Sequence, residues 1–390
     1  MRPPRWSWIA AACAGLVLFG LGVVLAAMPF IFPAALDALG VIAAGYGLIA
    51  VTLGLGLVIA GRRGRLGQPA GRFYPTWGGL PFLLVALAVG GVGALLPPAM
   101  HTHPLFAPFH FALILLPGLF LLSLVLVAAG RPFALSLRRM IALLAGGAST
   151  VFIAVPVELV GLMVSAGIGA AVVMLLPGGA AQVEQLLAML QGWAVRPPTD
   201  PAEAVALLSS PVVLITLTLS LAVITPLIEE LGKTLVMGVF GIWLKPSLLT
   251  AFIWGVACGL GFAWLEGISN GAMGLGGAAG WLGSAGVRFL ATAMHCATSG
   301  LVGLGWGGYW QGRRWALPLA YIGAVVIHGF WNFNVIMSAG GVVLAESRPA
   351  LGGLLLVAGI LFEGFLILLS LLTLLGLPRF LRTSETPAPA

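Results

Sequence analysis

PVVLITLTLSLAVITPLIEELGKTLVMGVFGIWL, residues 211–244, is a run of 34 residues in which Glu229, Glu230 and Lys233 are the only ionisable side chains. A surface helix alternates an apolar stripe with a charged face, whereas this stretch is apolar all round. At ~1.5 Å per residue it is long enough to cross the ~30 Å hydrocarbon layer of a bilayer with length to spare. Nine comparable runs accompany it, over roughly 6–28, 38–60, 78–97, 109–130, 140–176, 247–266, 281–309, 315–338 and 349–377. The chain therefore reads as all-α, a polytopic transmembrane helix bundle of about ten spans. The stretch 6–28 follows two arginines as a signal peptide would, but its length is that of a span. Two runs exceed a simple crossing, and kinks are expected at Pro156 and Pro226; splitting both would give twelve spans with the same ends.

Composition agrees with this class. Of 390 residues, 60% are hydrophobic and 7% charged, with mean hydropathy +1.12, against about 25% charged in soluble domains. An ordinary cytosolic enzyme is excluded, as is a disordered chain, and the long unbroken runs exclude a barrel. The net charge of +7 is not a nucleic-acid footprint. Arg2 and Arg5, then Arg62, Arg63, Arg65 and Arg72, Arg131, Arg138 and Arg139, Lys245, Arg313 and Arg314, and Arg379 and Arg382 fall in alternate loops. That is the positive-inside pattern, and it places both termini in the cytoplasm. Only Arg196 and Arg348 fall outside, while Lys233 and Arg288 lie within the membrane. The basic loops also suit anionic lipid. Cys13, Cys258 and Cys296 sit in apolar runs and read as small hydrophobes rather than a disulfide framework.

The chain divides into N-terminal membrane helices of unassigned role (1–176), an extracytoplasmic loop with a short helix (177–210), a chemistry-bearing core (211–338), a C-terminal span (339–382) and a disordered tail (383–390). Within the loop, Val183 to Leu190 is amphipathic, and Asp200, Pro201 and Glu203 supply the cap, first-turn proline and capping acid of a further helix.

An ionisable group at the bilayer centre costs about 2.5–3.5 kcal/mol even on the lenient insertion scale. Seven lie between 229 and 328, too many to be incidental. In TPLIEELGK, Glu229 and Lys233 share a helix face four residues apart, so the ammonium can compensate one carboxylate while its neighbour points about 100° away. In GFAWLEG, Phe262 and Glu266 are one turn apart. Arg288, Thr292, His295 and Ser299 form a polar stripe, and in VIHGFWNF His328 and Asn332 face the same way. Counted from the basic loops, His328 lies ~21 Å from Arg314, Glu229 ~24 Å from Lys245, His295 ~27 Å from Arg313 and Glu266 ~32 Å from Lys245. These residues thus occupy one layer around or above mid-membrane. Imidazoles with carboxylates suit zinc, and a glutamate beside the metal is the usual base of a hydrolase.

Other candidates carry less. His101, His103 and His110 read first as an interfacial loop and second as metal donors. The glycines from 267 to 286 lack the strand and GK[ST] ending of a phosphate loop and read as a mobile connection. Glu158 and Glu363 can line a cavity or pair with Arg288.

Taken in order, Glu229-Glu230-x-x-Lys233, Phe262-x-x-x-Glu266, His295 and His328-x-x-x-Asn332 resemble the motifs of the PrsW family of intramembrane proteases, distant relatives of the CAAX protease and bacteriocin-processing proteins. The resemblance covers about residues 211–335. It implies an intramembrane endopeptidase of the bacterial cytoplasmic membrane, acting on a membrane-tethered protein such as an anti-sigma factor. It implies catalytic or metal-binding roles for Glu229, Glu230, Glu266 and His328, with His295 a further site position. Joined to the reading of the residues, this gives Glu229, Glu230, Lys233 and Asn332 as catalytic, His295, His328 and Glu266 as zinc (Zn) ligands, and Arg288 and Ser299 as support. Asn332 stands where the family often has aspartate, and this asparagine resembles the CAAX relatives, which leaves open a metal-free route with glutamate-activated water. The residue types alone also allow a proton-coupled transporter or channel, which predicts inverted repeats, and a non-catalytic scaffold that keeps the fold. Nucleic acid is not an expected partner.

Overall fold

The structure is a computed structural model that describes residues 5–31, 37–69, 71–130, 135–196 and 201–385. Arg2, Arg131, Asp200 and the tail beyond 385 lie outside the described residues. The helices are α1 (Arg5–Ile31), α2 (Asp37–Arg65), α3 (Leu80–Ala94), the short α4 (Pro98–His101), α5 (Ala107–Ala129), α6 (Leu137–Met174), α7 (Gly179–Val195), α8 (Pro201–Leu208), α9 (Pro211–Leu217), α10 (Thr225–Leu244), α11 (Leu248–Gly271), α12 (Ala278–Trp310), α13 (Ala316–Ser347) and α14 (Pro349–Glu385). A two-residue antiparallel ladder joins β1 (Arg72–Phe73) to β2 (Leu135–Ser136), with Arg72 opposite Ser136.

Among the described residues, ten helical stretches are long and apolar enough to cross a membrane. The two overlong runs are not split: α6 continues for 38 residues with Pro156 inside it, and 211–244 forms a single span. Within that span the backbone between α9 and α10, Thr218–Ile224, is π-helical. The last helix runs on to Glu385, so the first residues of the expected tail are helical; Thr383 and Ser384 hydroxyls bond back to the carbonyls of Phe380 and Leu381. α8 begins at Pro201 with Glu203 in its first turn, as expected from the fixed φ of proline and the helix dipole.

The chain forms two compact units, one of residues 1–151, 231–324 and 369–390, the other of 152–230 and 325–368. The boundary falls inside α6, α10, α13 and α14. In the first unit α11 is the central helix, with 89% of its apolar window buried. Its glycines make this possible. A Cβ at Gly255 would meet the Ser299 carbonyl of α12, one at Gly259 the His295 carbonyl, and one at Gly261 the Leu144 carbonyl of α6. Small residues let helix backbones touch where lipid gives no hydrophobic drive for association. Cys258 and Cys296 are buried and free in this packing.

In the second unit, Val173, Leu186 and Val212 form a small core joining α6, α7 and α9. α13 meets α14 through Asn334, whose Nδ2 donates to the Gly359 carbonyl and to Glu363, and through the edge-on pair Phe330 and Phe362.

Candidate active site

In the first unit, α10, α11 and α12 bring four ionisable side chains together. Lys233 Nζ lies 2.8 Å from His295 Nδ1 and 4.3 Å from the centre of the Phe262 ring. On the other side of the imidazole, His295 Nε2 lies 2.6 Å from Glu266 Oε2. Arg288 Nη2 approaches that same oxygen at 2.8 Å, and Asn270 Nδ2 donates to Glu266 Oε1 at 2.9 Å. An ammonium can only donate, so Lys233 makes Nδ1 of His295 the acceptor and leaves the ring proton on Nε2, facing Glu266. One lysine thereby sets the tautomer of a buried histidine, and one carboxylate, held by an arginine and an asparagine, sets its orientation.

The second unit carries a cluster of its own. His328 Nδ1 lies 2.9 Å from Glu230 Oε1, and its Nε2 lies 3.8 Å from Glu229 Oε2. The first is a hydrogen bond in which the imidazole donates; the second is too long for one. Burial is nearly complete at five of these positions, with Glu230 and Lys233 0% exposed, His295 1%, His328 2% and Glu229 5%, while Glu266 and Arg288 are partly exposed. α10 contributes Glu229 and Glu230 to the second unit and Lys233, one turn later, to the first.

The π-helical segment explains a further contact. At its end the Thr225 N–H bonds to the Ser220 carbonyl, a step of five residues. The next bond of that register would join residue 226 to the Leu221 carbonyl, but Pro226 has no N–H. Asn332 supplies the missing donor, its Nδ2 lying 2.8 Å from the Leu221 oxygen. Thus Asn332 ties α13 to the turn that precedes the two glutamates.

The remaining sequence-predicted positions have other surroundings. Ser299 is fully buried against Gly259 of α11, and among the described residues its hydroxyl has no hydrogen-bond partner. His101 Nε2 bonds to the Gly93 carbonyl, and His103 caps a turn at Leu105. His110 Nε2 donates to the Ile268 carbonyl while its Nδ1 accepts from Trp281 Nε1. With Leu275 and Trp281 buried, the glycine-rich connection is pinned to α5 rather than hanging loose. Glu363 pairs with Asn334. Sequence reasoning missed Asn270, although its place one turn after Glu266 was a usable signal, and it missed the Leu221 carbonyl, which no side-chain pattern reveals.

A family model described as PrsW family intramembrane metalloprotease matches residues 155–363, just over half of the 390-residue chain and wider at both ends than the motif-bearing stretch. No curated protein and no solved structure matches.

Proposed function

Since the chain belongs to the PrsW family of intramembrane metalloproteases, and is thus a multi-pass membrane hydrolase acting on membrane-protein substrates in the bilayer, we propose that its peptide hydrolysis uses zinc and a glutamate base. The observation that carries this reading is the hydrogen bond from His328 to Glu230, with Glu229 across the opposite ring nitrogen. A carboxylate that fixes the far nitrogen of an imidazole is the usual support of a metal-ligating histidine, and His295 has the same support from Glu266. The donor set of two imidazoles and a carboxylate fits zinc. Within the second unit His328 and Glu229 would hold the metal; His295 is assigned as a further ligand because the family resemblance implies it. Glu266, already engaged by Arg288, His295 and Asn270, is assigned to orienting His295 rather than to ligation.

When bound, zinc would polarise the scissile carbonyl and ease deprotonation of water. The protein does the rest. Glu229 has two carboxylate oxygens, and we assign to it the proton taken from water and passed to the leaving amine. Glu230 holds His328 in one tautomer and Glu266 does the same for His295. Lys233 would give up the Nδ1 lone pair of His295 to the metal and balance the local charge, and Asn332 steadies the turn that carries the glutamates. The core of 211–338, the bacterial cytoplasmic membrane as location, and single-span substrates of the anti-sigma type follow from the family resemblance and belong to the same proposal.

The test is metal content of the purified full chain, with and without His328→Ala, beside cleavage of a single-span substrate in liposomes. We expect about one zinc per chain, lost in the variant. Full-rate cleavage by metal-free protein would replace zinc with glutamate-activated water. Orientation is tested separately, by an impermeant thiol reagent on a cysteine placed at Gln191. Labelling of intact cells supports cytoplasmic termini, and labelling only after lysis reverses them.

A further inference from the structure

Arg62, Arg63 and Arg65 end α2, Arg138 and Arg139 begin α6, and Lys245 follows α10, and the stretches around them, 60–75, 130–145 and 240–255, contain no aspartate or glutamate. Among the described residues, none of Arg62, Arg63, Arg138 and Arg139 forms an ion pair. Arg138 donates to the Gln68 carbonyl and lies 5.6 Å from the centre of the Trp8 ring, yet its Nε is buried and has no hydrogen-bond partner among the described residues. Arg139 lies over Trp254 at 5.7 Å. These contacts orient the two guanidinium groups but neutralise neither.

Directly beside them a crevice of about 400 Å³ opens between α1, α6 and α10, within the roughly 300–1,000 Å³ of ligand clefts. Its α6 wall runs from Arg138 and Arg139 through Ala142 and Gly146 to Ser149, a drop of ~16 Å along the helix. That is about half of the ~30 Å hydrocarbon layer, the depth of one leaflet. Trp8 and Trp243 stand on the other walls. The lining is almost wholly apolar except for the two arginines.

We propose that this crevice binds an anionic phospholipid, with the phosphate on Arg138 and Arg139 and one acyl chain laid along α6 to the level of Ser149. Charge complementarity selects the occupant. The uncompensated cations call for an anion, and the apolar slot below them, one leaflet deep, calls for a hydrocarbon chain attached to it. Basic pockets between transmembrane helices recognise anionic head groups by the same physics. A lipid seated here would pack on Phe240 and Trp243, on the helix that carries Lys233.

The experiment uses the full chain in neutral detergent and counts retained lipid by native mass spectrometry, offering phosphatidylglycerol or phosphatidylcholine of identical acyl chains. We expect selective retention of phosphatidylglycerol, weakened about fivefold by Arg138→Gln and again by Arg139→Gln. Ala142→Trp, which fills the slot and leaves the charge intact, should abolish retention while the melting temperature without lipid holds. Should that variant fail to fold, Ala11→Leu obstructs the slot from α1. Equal retention of the two lipids, undiminished retention in the filled-slot variants, or displacement by millimolar inorganic phosphate would each overturn the proposal.

Discussion

α11 and α13 both carry residues of the active site, yet 89% of the apolar window of α11 is buried against 28% for α13. Glu266 on α11 sits among glycine contacts, with its charge matched by Arg288 and its oxygens shared with His295 and Asn270. α13 holds His328 and Asn332 on one face, while Gly329, Phe330 and Phe333 line an open apolar groove of about 430 Å³ together with Thr218 and Leu227. The contrast teaches that the Glu266 cluster is kept rigid by close packing and paired charge. The His328 cluster is held instead by a distorted backbone, beside an open apolar groove.

The sharpest way to break the comparison is Glu229→Gln, which keeps shape and removes the proton acceptor. Cleavage should fall about 10²–10⁴-fold with an unchanged melting temperature; activity near wild type would remove Glu229 from the chemistry. On the packed side, Glu266→Gln should cost about 10–100-fold through a misoriented His295, read as lost activity together with weakened zinc retention. If zinc and rate both persist, Glu266 does not orient the histidine.

Stability should separate the two regions next. Gly255→Ala pushes a methyl into the Ser299 carbonyl, and we expect a loss of roughly 1–3 kcal/mol in detergent unfolding. Gly364→Ala, on α14 with nothing within 4 Å of the added carbon, should be neutral or stabilise by up to about 1 kcal/mol. Equal penalties would show that the packing difference has no energetic content.

The smallest effect is the most specific. Asn332→Leu strands the Leu221 carbonyl and should destabilise by about 1 kcal/mol, while Pro226→Ala returns an N–H to the same place. The double variant should recover most of that loss and of the accompanying activity. A purely additive pair would mean that Asn332 does not act through the π-helical turn.

Much of the fold was legible in the sequence because crossing a bilayer imposes a length and a composition that a window of residues can display. The ten runs, and α8 starting at Pro201, follow from such local rules. The ion network was only partly legible. Spacing placed Glu229 and Lys233 on one helix face, but Lys233 bonds to His295, 62 residues away, and no periodicity encodes that separation. Ser299 shows the opposite failure. Its spacing put it on the polar stripe of His295, yet that part of α12 packs against Gly259, where a small side chain matters more than a polar one. Pro226 flagged a disturbance in its helix without disclosing that the chain absorbs it as a π turn.

That turn amounts to a helix carrying one residue more than its path requires. Each residue of an α-helix advances about 100° around the axis, so the surplus residue within 218–224 leaves Glu229 and Glu230 out of phase with residues 211–217 by about that angle. A helical wheel drawn unbroken across the span would therefore aim the carboxylates at the wrong neighbours. Removing a single residue from the segment should return the span to one phase: the helix would still insert, but the two glutamates would swing away from His328, disarming the enzyme without touching a catalytic atom.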